Sequence, residues 1–236
     1  MEATPDPVDI ARWRRGWETM MRRYQPGRIE LLACGLSATE QVLRRVPDRV
    51  LDIGGGPGTT AEAVLRRWPD THVTVLDVDP VLLALAGAAL PQAHTIRTDI
   101  SSPGWAVSAD GPYDLVLALM TVHYLSQDRV RTWYAEARQL LRPDGLLLVG
   151  DVMPDARWGH HRTADAAAAP SRTPDGGDDP WTAWWTRLGR EPAMASLLNE
   201  RAALMSGVGC AEFTASIDWH RETARRVGFC KATVLY

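Results

Sequence analysis

The sequence predicts a doubly wound α/β fold: a mostly parallel sheet with helices on both faces and a helical cap inserted late in the chain. Three observations predict it. Short apolar or β-branched runs alternate with helical patterns from residue 49 onward, the signature of parallel strands joined by right-handed crossovers. A glycine-rich turn, GGGPG, follows the first of these runs directly. The run at 113–119 is apolar almost throughout, as a central parallel strand covered on both faces must be.

Residues 8–24 carry Trp13, Trp17, Met21 and Tyr24 on one stripe, which predicts an amphipathic helix. Gln25-Pro26-Gly27 breaks it, and a second helix is expected over 28–46. Residues 49–53 form a first strand, with a helix from the glycines to Trp68. Pro69-Asp70 turns the chain into a β-branched strand at 72–78. Asp79-Pro80 opens a helix, with proline in the first turn where it is tolerated. Pro91 ends that helix, and 95–100 reads as a third strand closed by Asp99. After the strand at 113–119 come a helix over 128–141, a turn at Arg142-Pro143-Asp144-Gly145 and a fifth strand at 146–152.

The alternation then stops. Residues 155–180 are rich in Ala, Asp, Gly and Pro without apolar periodicity, which predicts a mobile loop. Helical pattern returns at 181–205, and a last helix at 218–227 leads through Gly228 to a closing strand at 230–236. The expected organisation is therefore N-terminal helices (1–46), a cofactor-binding core (47–153), a cap insertion with a mobile loop (154–210) and a C-terminal helix and strand (211–236).

With 236 residues, 45% apolar and 23% charged, the chain is expected to be a single domain with a large core. A net charge of −3 argues against a surface built for nucleic acid. Three widely spaced cysteines, Cys34, Cys210 and Cys230, fit neither a disulfide framework nor a zinc site. No apolar leader or membrane-length apolar run is present, so a cytoplasmic protein without a membrane partner is expected.

The informative stretch is VLDIGGGPGTTAEAVL. Asp52, Gly54, Gly56 and Gly58 alternate between a strand and a helix, so bare backbone can approach a ligand whose negative group faces the helix N-terminus. A nicotinamide fingerprint needs glycine or alanine at position 59, where Thr59 stands. Asp77, at the second strand's carboxyl end, is placed to accept both hydroxyls of a ribose. Asp99, after the third, can accept from an adenine amino group, with Ile100 against the ring.

With LDIGGGPG, VTVLDVDP, RTDI, YDLVLALMTVHYL and LLRPDGLLLVGD, the chain resembles the class I S-adenosylmethionine-dependent methyltransferases over about 28–153 and 218–236. The resemblance implies a Rossmann-like sheet, S-adenosyl-L-methionine as cofactor, and Gly54, Gly55, Gly56, Gly58, Asp77, Val78, Asp99 and Ile100 around it. Ala118 and Leu119, at the fourth strand's end, would meet the methionine amine through their carbonyls. Two departures stand out. The family's seventh strand has no counterpart here, which leaves a monomer or a homodimer open. The amino-methyltransferase signature Asp/Asn-Pro-Pro-Phe/Tyr is replaced by Leu119-Met120-Thr121, which points to a small-molecule acceptor. Methylation of tRNA or protein, and a non-catalytic cofactor-binding role, are the alternatives.

Methyl transfer from a sulfonium requires alignment and, for a hydroxyl-like acceptor, a base. His123, just past the fourth strand, is the candidate base; a residue that only shapes the pocket is the alternative. Tyr124 and Asp151 are candidate substrate contacts. Trp181, Trp184 and Trp185 share one helix face and form either an aromatic lid over the acceptor or core or dimer packing. Arg28 is placed either on the cofactor carboxylate or on the solvated surface. His160-His161 is too weak a pair for a metal site, and no metal is expected.

Overall fold

The computed structural model describes residues 7–154, 179–206, 211 and 213–235. Two helices, α1 (Pro7–Tyr24) and α2 (Arg28–Leu43), precede β1 (Arg49–Ile53), α3 (Thr59–Arg67), β2 (His72–Asp77), α4 (Pro80–Ala89) and β3 (His94–Arg97). A short α5 (Trp105–Ser108), β4 (Tyr113–Leu119), a 3₁₀ turn (Val122–Tyr124), α6 (Gln127–Gln139) and β5 (Leu141–Gly150) follow. Helices α7 (Pro180–Leu188), α8 (Ala195–Met205) and α9 (Ile217–Arg226) complete the described chain. The sheet order is β3-β2-β1-β4-β5, parallel throughout, so the order reverses between β1 and β4. The carboxyl ends of those two strands flank the crevice where ligands of such sheets bind.

The core lies on both faces. One side buries Leu51, Ile53, Leu76, Tyr113 and Val116 with Trp133 and Ala137 of α6. The other buries Val50, Val75, Leu115 and Leu117 with Val64 of α3 and Leu83 of α4. Every residue of β4 is buried, as its apolar run predicts. A third cluster joins Trp13, Trp17 and Met20 of α1 to Val81 and Leu85 of α4 and to Trp184 and Leu188 of α7. The N-terminal helix and the cap helices thus form one layer over α4.

Three expectations need correction. β3 ends at Arg97, and Asp99 stands two residues beyond it in a turn, both carboxylate oxygens bonded to Ser101. Arg142–Gly145 is not a turn ahead of the fifth strand but a bulge within it: Tyr113 pairs with Leu141, and Leu115 next pairs with Leu146. The closing strand at 230–236 does not form within residues 230–235. There Arg221 Nε takes the Ala232 carbonyl and Cys34 Sγ takes that of Leu235, so side chains occupy carbonyls a ladder would use. The loop expected at 155–180, with His160 and His161, lies for residues 155–178 outside the described residues.

Candidate functional site

The glycine loop is built against the ends of three strands. Gly54 N and Gly55 N both donate to Leu76 O, at 2.7 and 3.2 Å, which folds the loop across the end of β2. Gly54 has φ +64°, and a Cβ there would stand 2.3 Å from Thr121 Oγ1. That hydroxyl donates between Ile53 O (3.2 Å) and Leu119 O (3.0 Å), bridging the ends of β1 and β4. Position 54 is therefore glycine for packing as much as for conformation. Gly56 differs: its φ is +54°, and a Cβ there would sit 3.5 Å from the Trp17 indole. The aromatic layer of α1 thus lies one side chain's width from the loop.

Asp77 closes β2, half-buried. Its Oδ2 accepts from Gly56 N at 2.8 Å and its Oδ1 from Asp79 N at 2.9 Å. A carboxylate offers about four acceptor positions, so two remain for a ligand diol. Burial pushes its pKa up to about 6, against the pull of the two backbone donors. Thr98 N donates to Asp77 O at 3.0 Å and brings the Asp99 turn alongside. Asp52 sits beneath the loop, 1% exposed, with Oδ2 lacking a hydrogen-bond partner. Burial pushes it up to about 7, and the nearby Arg28 charge pulls the other way. Arg28 is itself buried, not on the solvated surface, with Nη2 donating to Thr60 Oγ1 at 2.8 Å and Nε 3.7 Å from Glu18.

Across the crevice, Met120 adopts φ +54°, rare for a side-chain-bearing residue, and its N donates to Gly150 O at 2.7 Å. The chain then enters the 3₁₀ turn, whose first amides would lack acceptors. Asp151, just past β5, supplies one. Its Oδ2 accepts from Thr121 N (3.1 Å), Val122 N (2.8 Å) and His123 N (3.2 Å). Its Oδ1 lies 2.7 Å from His123 Nδ1 and accepts from Val152 N at 2.8 Å. The Asp151 carboxylate is 2% exposed, yet its pKa is held below the usual range: burial opposes ionisation, and the bonds from His123 and the backbone overcome it. An ionised acceptor at Oδ1 makes Nδ1 the nitrogen that carries the shared proton and turns Nε2 away from the carboxylate. Tyr124, 51% exposed, lies with its ring 4.1 Å from that of His123. Behind the pair, Tyr134 and His220 share a buried hydrogen bond of 2.9 Å.

The aromatic helix divides. Trp184 is 1% exposed, T-stacked on Trp13 and Trp17, with Nε1 donating to Trp13 O at 3.2 Å. It is a packing residue, and the expected substrate contact is corrected there. Trp181 and Trp185 are half-buried; Trp181 leans on Trp17 at 5.4 Å, and Arg201 covers one face of Trp185 at 3.6 Å. A cavity of about 410 Å³ lined by Arg49, His72, His94 and Asp110 lies at the amino ends of the strands and contains none of these groups.

The residues read from sequence thus converge on one edge of the sheet: the glycine loop, Asp77, the Asp99 turn, Ala118–Leu119 and His123. Sequence reasoning missed the His123–Asp151 pairing, the burial of Arg28, and Arg201. The first had a legible signal, since an acid at the end of the fifth strand faces the loop after the fourth.

Residues 50–145 match the family model described as a methyltransferase domain. Trans-aconitate 2-methyltransferase of Azoarcus sp. (strain BH72) is 33% identical over 116 residues, covering 48% of this chain and 44% of that protein. Malonyl-(acyl-carrier protein) O-methyltransferase of Laribacter hongkongensis (strain HLHK9) is 33% identical over 159 residues, covering 63% and 52%. The chain spans about half the length of these curated relatives. In fold it is similar to the crystal structure of the plantazolicin methyltransferase BpumL, with TM-score 0.57 and 14% identity over 94% of this chain and 70% of that one.

Proposed function

We propose that the chain is a class I S-adenosylmethionine-dependent methyltransferase, a reading supported by the matched methyltransferase domain and the methyltransferase relatives, and that it transfers a methyl group to a small molecule whose accepting atom must first lose a proton. The observation that carries this reading is the His123–Asp151 pair beside the β1/β4 crevice. A carboxylate held ionised fixes the ring and its tautomer, so Nε2 is ready to receive a proton.

The residues present fit the cofactor. Asp77 keeps acceptor positions for a ribose diol beyond its two backbone bonds. The positive φ at Gly56 keeps the loop free of a side chain beside Asp77, and the Asp99 turn with Ile100 follows Thr98, whose N donates to Asp77 O, for an adenine. Ala118 and Leu119 end β4 where the methionine portion would lie. When bound, S-adenosylmethionine supplies a methyl group already activated on sulfonium. The chain's task is then to orient the acceptor in line, exclude water and accept one proton at His123 Nε2. Tyr124, half-exposed with its ring against that of His123, gives the acceptor side an aromatic wall, as an apolar small molecule favours.

The names of the relatives support a second reading, an acceptor that is itself a carboxylate and needs no base. A product screen separates the two. Purified protein, S-adenosylmethionine and pooled small molecules should yield S-adenosylhomocysteine and a product heavier by one methylene. Transfer to phenols, alcohols or azoles that depends on His123 supports the first reading. Transfer confined to carboxylates and indifferent to His123 refutes it.

A further inference from the structure

Helix α8 reaches the nucleotide end of the sheet through two consecutive side chains. Glu200 pairs with Arg97, the last residue of β3, and Arg201 Nε lies 2.5 Å from Asp79 Oδ2, just past β2. Asp79 is 4% exposed on its side chain, and its other oxygen caps α4, accepting from Val81 N and Leu82 N at 2.9 and 3.2 Å. The guanidinium is stacked on Trp185 of α7 at 3.6 Å. One arginine therefore ties two cap helices to the β2–α4 turn.

The turn is the support of Asp77. Asp79 N donates to Asp77 Oδ1 at 2.9 Å, and Asp77 Oδ2 in turn holds Gly56 N. Two carboxylates two residues apart in a poorly solvated turn repel each other, and the Asp79 charge disfavours the ionised form of Asp77. Arg201 neutralises Asp79 from the cap side. Without it a buried carboxylate stands unpaired, and the turn must shift or admit water.

We infer that Arg201 is a positioning residue for nucleotide recognition: through Asp79 it fixes the turn that carries Asp77, and so couples docking of α8 to cofactor binding. The inference rests on the proposed ribose role of Asp77. Coupling of this kind is reciprocal, so the cofactor must also tighten the cap.

The test uses the full chain with S-adenosylhomocysteine as probe. Calorimetry should show Arg201→Met binding about tenfold more weakly than the parent. Asp79→Asn should show a similar loss, and the double variant should be no worse than the weaker single. In the parent, the probe should slow hydrogen exchange in 195–205; in Arg201→Met that slowing should vanish while any slowing at 54–58 remains. A residue that only packs the cap would lower Tm and leave affinity unchanged. Folded Arg201→Met with parental affinity overturns the inference, as does a parent whose 195–205 exchange ignores the probe, a result independent of any variant's folding. A parent that does not bind the probe overturns the underlying reading and this one together, whereas parental binding lost in Asp77→Ala but kept in Arg201→Met overturns the coupling alone.

Discussion

Replacing Asp151 by asparagine changes one atom and tests the proposed proton path directly. The carboxylate accepts five hydrogen bonds: three backbone amides on Oδ2, and His123 Nδ1 and Val152 N on Oδ1. An asparagine NH₂ must face one of the two sets. Turned toward the three amides it opposes three donors, so it turns toward His123 and Val152 instead. Facing a donor, the imidazole adopts the other tautomer, with Nδ1 accepting and Nε2 protonated. Nε2 can then no longer receive a proton. A positioned base contributes about 10²–10⁴ in rate, and the same exchange in a Ser-His-Asp triad costs about 10⁴. We expect kcat to fall at least about a hundredfold, roughly 2.7 kcal/mol of barrier, with S-adenosylhomocysteine affinity unchanged. Nitrogen-15 NMR reads the cause without an acceptor: His123 should be Nδ1–H in the parent and Nε2–H in Asp151→Asn. Identical tautomers in both proteins would refute the reasoning, as would near-parental kcat in the folded variant.

Three further outcomes are expected. Trp184→Ala should lower stability by about 3–5 kcal/mol in denaturant unfolding, because it empties the centre of the α1–α7 cluster; a change in substrate KM without a stability loss would restore it as a binding residue. Gly54→Ala combines a positive φ with a Cβ 2.3 Å from Thr121 Oγ1, so it should both destabilise the fold and weaken probe binding by more than the ~1 kcal/mol of a φ penalty alone; near-parental behaviour would mean the crevice is looser than described. Burial pushes the Asp52 carboxyl up to about 7, against about 3.8 for a solvated carboxyl in the unfolded chain, so unfolding free energy of the ligand-free protein should decline as pH rises between those values. Asp52→Asn should remove that limb, worth at most on the order of 4 kcal/mol, and an unchanged pH profile would show Asp52 to be unperturbed.

The strands were legible because their signals are local. β1 and β4 match the apolar runs residue for residue, and Asp79-Pro80 marks the start of α4 by capping chemistry alone. Asp77 was legible for the same reason, as an acid ending a β-branched run. Asp99 was misplaced because β3 stops where its ladder to Asp77 stops, a fact of pairing rather than propensity. The composition of Trp181–Trp185 fits a lid and a core equally; only the presence of α1 against it decides that Trp184 is core. Arg28 and Arg201 carry no local signal, since an arginine's burial depends on which carboxylate or hydroxyl the fold brings to it. The closing strand failed because its residues have strand propensity but no ladder partner among the described residues.

The central claim is that the ends of β1 and β2 bind the nucleoside of S-adenosylmethionine through Asp77. Calorimetric titration of S-adenosylhomocysteine into the parent and into Asp77→Ala tests it most directly. Two charge-assisted hydrogen bonds, each worth about 1.5–3 kcal/mol, are removed. The parent should therefore bind the probe, with NAD far weaker, and Asp77→Ala should lose at least about tenfold in affinity. No binding by the parent, or parental affinity in a folded Asp77→Ala, would contradict the account.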